Sequence, residues 1–286
     1  MKLNLVRLVF FFNILLLSTC SNFGELKLIS ELPTELKEVS GTETTRHSNL
    51  LWMVNDSGNT NTVFGVSTSG TIEKTLRIDA KNHDWEDLTS DPIGNLYIGD
   101  FGNNNNDRKN LSILKIAATD LTSEEKITVE KIHFYFPEQN KFPPKKNQRY
   151  FDVESFFYHN AHFYLFTRSR VKGNYGKTSL YKIPAKPGNH EAAFIDNYVS
   201  CSDYNCSITS AAISPDGKAV ILLSRSSMLV FTSFKSDNFL SGIVKELPFN
   251  FISQKESICF KDSSTIYITD EYANQTGKNL YAYKFK

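Results

Sequence analysis

The fold class predicted by this sequence is all-β: a five-bladed β-propeller closed by an N-terminal strand. Three observations carry it. A pair of short strands recurs five times, its second members reading Leu-Trp-Met-Val-Asn-Asp56, Asn-Leu-Tyr-Ile-Gly-Asp100, Phe-Tyr-Leu-Phe-Thr-Arg168, Val-Ile-Leu-Leu-Ser-Arg225 and Thr-Ile-Tyr-Ile-Thr-Asp270. The charged ends lie 44, 68, 57 and 45 residues apart, and a strand-built recurrence of about 50 residues marks a radial repeat. Aromatic residues reach 13%, with 22 Phe and 13 Tyr, types that suit pleated, half-buried surfaces. Beyond residue 25 no long segment keeps a 3.6-residue apolar spacing, so helices should be few.

The first twenty residues are a separate object. Lys2 and Arg7 precede Val9-Phe-Phe-Phe12 and Ile14-Leu-Leu-Leu17, an apolar stretch too short to span a bilayer comfortably. It ends at Leu17-Ser-Thr-Cys20, which resembles a bacterial lipobox with Cys20 as the lipidated residue, although Thr19 is an unusual neighbour for that Cys. A cleaved secretory signal and an uncleaved anchor are the alternatives. Each puts the domain outside the cytoplasm, lipid-anchored in the cell envelope or secreted. Cys201 and Cys206 flank a polar Ser-Asp-Tyr-Asn loop and are expected to form a disulfide in such a compartment, with free thiols as the alternative. Cys259, on an apolar strand, reads as a core thiol.

Residues 25–286 are expected to form a single β-propeller domain. The strand Glu25–Ser30 comes first. Each unit then carries a first strand, a tight turn, a second strand, a loop and a third strand. The turns are Asp91-Pro-Ile-Gly94, His159-Asn-Ala161, Pro215-Asp-Gly217 and Asp262-Ser-Ser264, compositions that favour reversal for φ and Asx reasons. Third strands follow at Val63–Val66, Ser112–Ile116, Ser179–Ile183, Met228–Phe231 and Leu280–Tyr283. Fourth strands fit Ile72–Ile78, Ile127–Phe136, Ala192–Val199 and Gly242–Phe249. The fifth unit lacks a fourth strand, and Glu25–Ser30 is assigned to that place, which removes a free edge. The stretch from Thr119 to Arg149 reads as a protruding loop, with an irregular sixth blade as the alternative.

Counting back fourteen residues from Asp100, Arg168, Arg225 and Asp270 gives Glu86, Glu154, Ala211 and Glu256, and sixteen from Asp56 gives Ser40. Two residues earlier stand Glu38, Asp84, Asp152, Thr209 and Gln254, on the same strand face. Glu38, Asp56, Asp84, Glu86, Asp100, Asp152, Glu154, Glu256 and Asp270 are therefore expected at one mouth of the channel, facing Arg168 and Arg225. Blades five, one and two bring carboxylates; blades three and four bring arginines. Carboxylates this close require compensation. A structural ion network, a calcium site and a catalytic carboxylate pair are the three readings. Loops 55–59 and 100–108 add Asn, Asp and Gly at the same rim.

Asn55-Asp-Ser-Gly58, Asp84-Trp-Glu-Asp-Leu88 and Gly99-Asp-Phe-Gly-Asn103 with Arg108 resemble a group of exported bacterial propeller proteins. The group is similar to the SdiA-regulated periplasmic proteins, the phytase-like esterases and the gluconolactonase-type propellers. The resemblance covers residues 36–118 best. It implies a propeller and a metal held by Glu, Asn and Asp from different blades; Glu86 or Glu154, Asn55 and Asp270 have suitable types, and Asp100 joins Glu86 and Asp270 as a candidate metal ligand. Ala211, where neighbouring blades carry Glu, breaks a symmetric metal ring.

No nucleophile elbow, zinc-protease helix or phosphate-binding glycine loop occurs in the sequence. Of six histidines, His83 alone falls near the expected mouth. The net charge of +1 and the lack of a basic, aromatic-interleaved stripe exclude nucleic acid as the expected partner. Two functions are carried forward. The first is an exported lipoprotein that binds a small molecule, glycan or protein at an acidic, calcium-holding mouth. The second is a metal-assisted hydrolase of an ester, lactone or phosphoester.

Overall fold

The computed structural model describes residues 22–285, and among them strands dominate. β1 (Lys27–Glu31) opens the chain. Blade one comprises β2 (Val39–Thr44), β3 (Leu51–Asn55), β4 (Thr62–Val66) and β5 (Ile72–Arg77). Blade two begins with β6 (Trp85–Ser90), β7 (Leu96–Asp100), β8 (Ser112–Ile116) and β9 (Glu130–Tyr135). Blade three holds β10 (Asp152–His159), β11 (His162–Arg168) and β12 (Lys177–Pro184). β13 (Gly188–Glu191) follows before the blade's last strand, β14 (Ala193–Val199). Blade four is β15 (Ile208–Ile213), β16 (Ala219–Ser224), β17 (Ser227–Thr232) and β18 (Ile243–Pro248). Blade five is β19 (Lys255–Asp262), β20 (Thr265–Asp270) and β21 (Asn279–Lys284).

β1 pairs antiparallel with β21 and is the outermost strand of blade five, as the strand count requires. The five first strands β2, β6, β10, β15 and β19 pack side by side in a closed ring. This is the five-bladed β-propeller. The 119–149 stretch supplies the end of a 3-10 helix (Ala118–Thr122), then β9 and a loop, so there is no sixth blade. One strand was not foreseen. β13, in the β12–β14 connection, crosses to blade two and pairs parallel with β9.

Burial explains the strand sequences. Inner strands such as β3, β7 and β20 are buried on both faces and read as near-continuous apolar runs. The outer strands β5 and β9 alternate between exposed and buried, because one face meets solvent. The buried side chains fall into five clusters, one at each blade interface. Trp52 and Trp85 share the cluster of blades one and two, so Trp85 is packing. Phe101, Phe134, Phe156 and Phe163 sit between blades two and three, and Phe157, Phe166, Phe231 and Phe239 between three and four. Ile221, Ile258 and Tyr281 join four to five. Met53, Tyr267, Leu280 and the buried thiol of Cys259 join five to one. Each such apolar side chain contributes roughly 1.5–3 kcal/mol. The Asp91 turn forms because its Oδ1 accepts the amides of Ile93, Gly94 and Asn95 at 2.9–3.0 Å, with Gly94 at φ 98°.

Candidate functional site

A single backbone irregularity, repeated five times, builds the mouth. Val39 pairs with Asn55 and Gly41 with Val54, which leaves Ser40 unpaired. The same step skips Glu86, Glu154, Thr209 and Glu256 in the other four first strands. Each is a β-bulge, an extra residue that bends its strand and re-aims a side chain. All five bulged residues line one cavity of about 160 Å³.

The bulge also sets which second-strand residue reaches that cavity. Asn55, Asp100, Thr167, Ser224 and Asp270 lie opposite the residue before the bulge. The next residues along are Asp56, Phe101, Arg168, Arg225 and Glu271. All of these but Phe101, which enters the core, line the cavity. A one-residue offset reverses the face of a strand side chain. Asn55, Asp100 and Asp270 are accordingly engaged away from the cavity. Asn55 Nδ2 donates to the Glu35 carbonyl at 2.7 Å. Asp100 accepts from Arg108 Nη2 at 3.0 Å and the Asp84 amide at 3.2 Å, and lies 2.8 Å from His83 Nδ1. Asp270 accepts from the Asn279 amide and the Tyr281 hydroxyl, each at 2.9 Å. The structure thus does not bring Asp100 and Asp270 to the carboxylate cluster. In blade four the ring member is Thr209; Ala211, the residue found by counting, packs between blades three and four.

On the side of blades one and two, Asp56, Asp84 and Glu86 each place one carboxylate oxygen within 4.8 Å of the others. Burial, then repulsion from neighbouring carboxylates, raises the Glu86 pKa well above the usual range. Burial pushes Asp56 up to about 7. Asp84 is raised too, mainly by burial. Asp84 Oδ1 is buried with no hydrogen-bond partner among the described residues. Gly102 closes the cluster from behind. A Cβ there would stand 2.5 Å from Asp84 Oδ2 and closer still to Glu86 Oε1. Three convergent carboxylates, one with an unused buried oxygen, form the hard-oxygen donor set that suits a divalent cation.

Blades three and four bring the opposite charge. Arg168 Nη1 donates to Glu154 Oε2 at 2.9 Å and Arg170 Nη2 to Glu154 Oε1 at 2.6 Å, while Arg170 Nε bonds Asp152. Burial would raise the Glu154 pKa, but Arg168 and Arg170 together hold it below the usual range. Asp152, buried beneath them, also accepts the Asn103 amide at 2.6 Å and is pushed up to about 8 by burial, then by Glu154. Arg225 Nη2 lies 3.4 Å from Glu256 Oε1. Burial, then Glu256, raises Glu271 to about 9; Gln254 donates to it. Glu38 stays outside, its side chain 42% exposed and bonded to Asn59.

Tyr204 covers this side. Its ring lies 5.2 Å from Arg168 Cζ and 4.8 Å from Arg225 Cζ. It sits on the one-turn 3-10 helix Tyr204–Cys206, and Cys206 is disulfide-bonded to Cys201. Sequence reasoning missed Arg170, Tyr204 and Glu271. Glu271 was within reach, since it follows its strand as Asp56, Arg168 and Arg225 follow theirs. Cys20 and the signal-like segment lie outside the described residues. Among the described residues no helix is long and apolar enough to cross a membrane.

No protein-family model matches the chain, and no curated protein matches it. Solved structures of similar fold include a gluconolactonase from Xanthomonas campestris, with a TM-score of 0.49, 11% identity and coverage of 90% of this chain and 88% of that one. A catalytically inactive virginiamycin B lyase from Staphylococcus aureus with quinupristin gives 0.42 and 14%, covering 89% and 69%. A nidogen–laminin complex gives 0.45 and 11%, covering 82% and 72%. These similarities concern chain fold alone.

Proposed function

We propose that the mouth of this propeller is a divalent-cation site, selective for calcium, through which the protein binds a small molecule, glycan or protein ligand outside the cytoplasm. In this reading Cys20 carries a lipid anchor and the propeller is presented from a membrane. The observation that carries the cation is the buried, unpartnered Oδ1 of Asp84 beside Asp56 and Glu86. An all-oxygen, carboxylate-rich donor set favours calcium over softer metals. A bound cation would also supply the compensation that three adjacent carboxylates lack. Binding is preferred to hydrolysis because two of the cavity's carboxylates, Glu154 and Glu256, are already paired with arginines, and Ser40 and Thr209 add only small hydroxyls.

The test is thermal melting in calcium and in chelator. Calcium should raise the melting temperature, and Asp84→Asn should abolish the response while the protein still folds. A melting temperature indifferent to both calcium and chelator would overturn the cation. A parallel panel of esters, lactones and phosphomonoesters addresses the second function. Turnover that Glu86→Gln removes without unfolding the protein would replace the binding reading with a metal-assisted hydrolase.

A further inference from the structure

We infer that the arginine side of the mouth is a subsite for a two-oxygen anion, a carboxylate or a phosphate group, held by the free edge of Arg168 and by Nε of Arg225 beneath Tyr204. The inference rests on the reading that this mouth binds a ligand, and it names the group that the ligand presents.

Arg168 is 4% exposed. Its Nη1 is taken by Glu154. Its Nε and Nη2 are buried and have no acceptor among the described residues. Those two nitrogens form one edge of the planar guanidinium. Their N–H bonds run nearly parallel, at the spacing of two oxygens on one carbon or phosphorus. A buried charged donor left unpaired is costly, and here a whole bidentate edge is left so. Arg225 adds a single donor: its Nη2 faces Glu256 at 3.4 Å, and its Nε is buried without an acceptor among the described residues. Both guanidiniums lie against the same Tyr204 ring, and both line the same small cavity.

Tyr204 bounds the subsite on its outer side. Its residue is 40% exposed, and its backbone is tied by the Cys201–Cys206 disulfide. Its ring also packs edge-on against Tyr175, centroids 5.4 Å apart. The cavity of about 160 Å³ takes a head group and leaves the rest of the ligand outside.

Charge decides when the anion binds. Arg168, Arg170 and Arg225 are already matched by Glu154, Asp152 and Glu256. A further negative charge enters a carboxylate-rich mouth, and the counter-charge is the cation at Asp56, Asp84 and Glu86 across the cavity. Cation and anion therefore bind with positive coupling, equal in both directions.

The experiment follows the Nε signals of Arg168 and Arg225 by 15N NMR of the full chain. Acetate and inorganic phosphate are titrated separately, each with and without calcium. At least one anion should move both signals saturably, and the arm that does so names the group. Calcium should tighten that binding, and Arg168→Lys should weaken it by about tenfold or more, because an ammonium offers no bidentate edge. If Arg168→Lys does not fold, Arg225→Lys takes its place. Signals unmoved by either anion, or an affinity that the lysine variant leaves unchanged, would overturn the subsite. Failure here with a calcium-dependent melting shift leaves the cation reading standing; saturable anion shifts with no calcium response do the reverse.

Discussion

Gly102 and Glu86 face each other with no room for a side chain between them. The glycine belongs to the loop after β7, and the glutamate is the bulged residue of β6. A methyl group at position 102 would push the Glu86 and Asp84 carboxylates aside, and flexible carboxylate ends can move without unfolding the blade. Gly102→Ala is thus expected to keep the fold and lose at least about tenfold in calcium affinity, in line with the cost of disturbing the surroundings of metal ligands. Calorimetric titration with calcium checks this; unchanged affinity would show that the cluster does not hold the ion.

Stability should depend on pH in a defined direction. Asp56, Asp152 and Glu271 are held up to about 7, 8 and 9, mainly by burial, against ordinary values of 3.8, 3.8 and 4.5. The folded protein keeps protons that the unfolded chain releases. Their contribution is full below the ordinary values and is lost as pH rises through the folded ones. Melting temperature in chelator should fall from about pH 5 to about pH 9. Glu154, held low by its arginines, acts oppositely and limits stability at the acid end. Lys255, lowered to about 8 by burial, restores some stability above that pH. Because the cation competes with those protons, the calcium-induced melting shift should grow with pH. A flat profile in chelator would contradict the burial of these groups.

The pair Glu154 and Arg168, with side chains 4% and 5% exposed, is expected to be structural. Glu154→Gln leaves Arg168 and Arg170 short of a buried counter-charge and should cost about 3–5 kcal/mol in urea unfolding. A loss under about 1 kcal/mol would be the behaviour of a surface pair.

The Cys201–Cys206 bond closes a short loop, five residues in sequence. Loop-closure entropy assigns such a bond about 2 kcal/mol. Replacing both cysteines with serine should lower global stability by about that much or less. It should also make the Tyr204 ring signals more mobile by NMR. Unaltered Tyr204 dynamics would show that the disulfide does not hold that ring in place.

Five blades and their closure were legible because strand periodicity and turn chemistry are written in side chains. The mouth was legible in outline, and Asp56, Glu86, Glu154, Arg168, Arg225 and Glu256 all line it. The bulge was not legible. It is a backbone event, and the bulged Glu86 or Glu154 reads in sequence like any strand residue. Counting from second-strand charges mixed two register positions. Asp100 and Asp270 fall one residue short of the cavity, whereas Asp56, Arg168 and Arg225 fall in it. In blade four the same count stopped two residues short of Thr209, on Ala211. Tyr204 carried no signal, since its place comes from the disulfide loop that joins blades three and four.

The pairing of β1 with β21 has a temporal side. Lys27 meets Ala282 and Leu28 meets Tyr281, so a strand synthesised before all five blades waits for one synthesised after four of them. Until then blade five lacks its outer strand and β1 has no partner. The earlier blades are meanders of neighbouring strands that can assemble locally, but ring closure pays the full loop-closure entropy of nearly the whole chain. Closure should be the slow step of folding, with an open arc of blades preceding it.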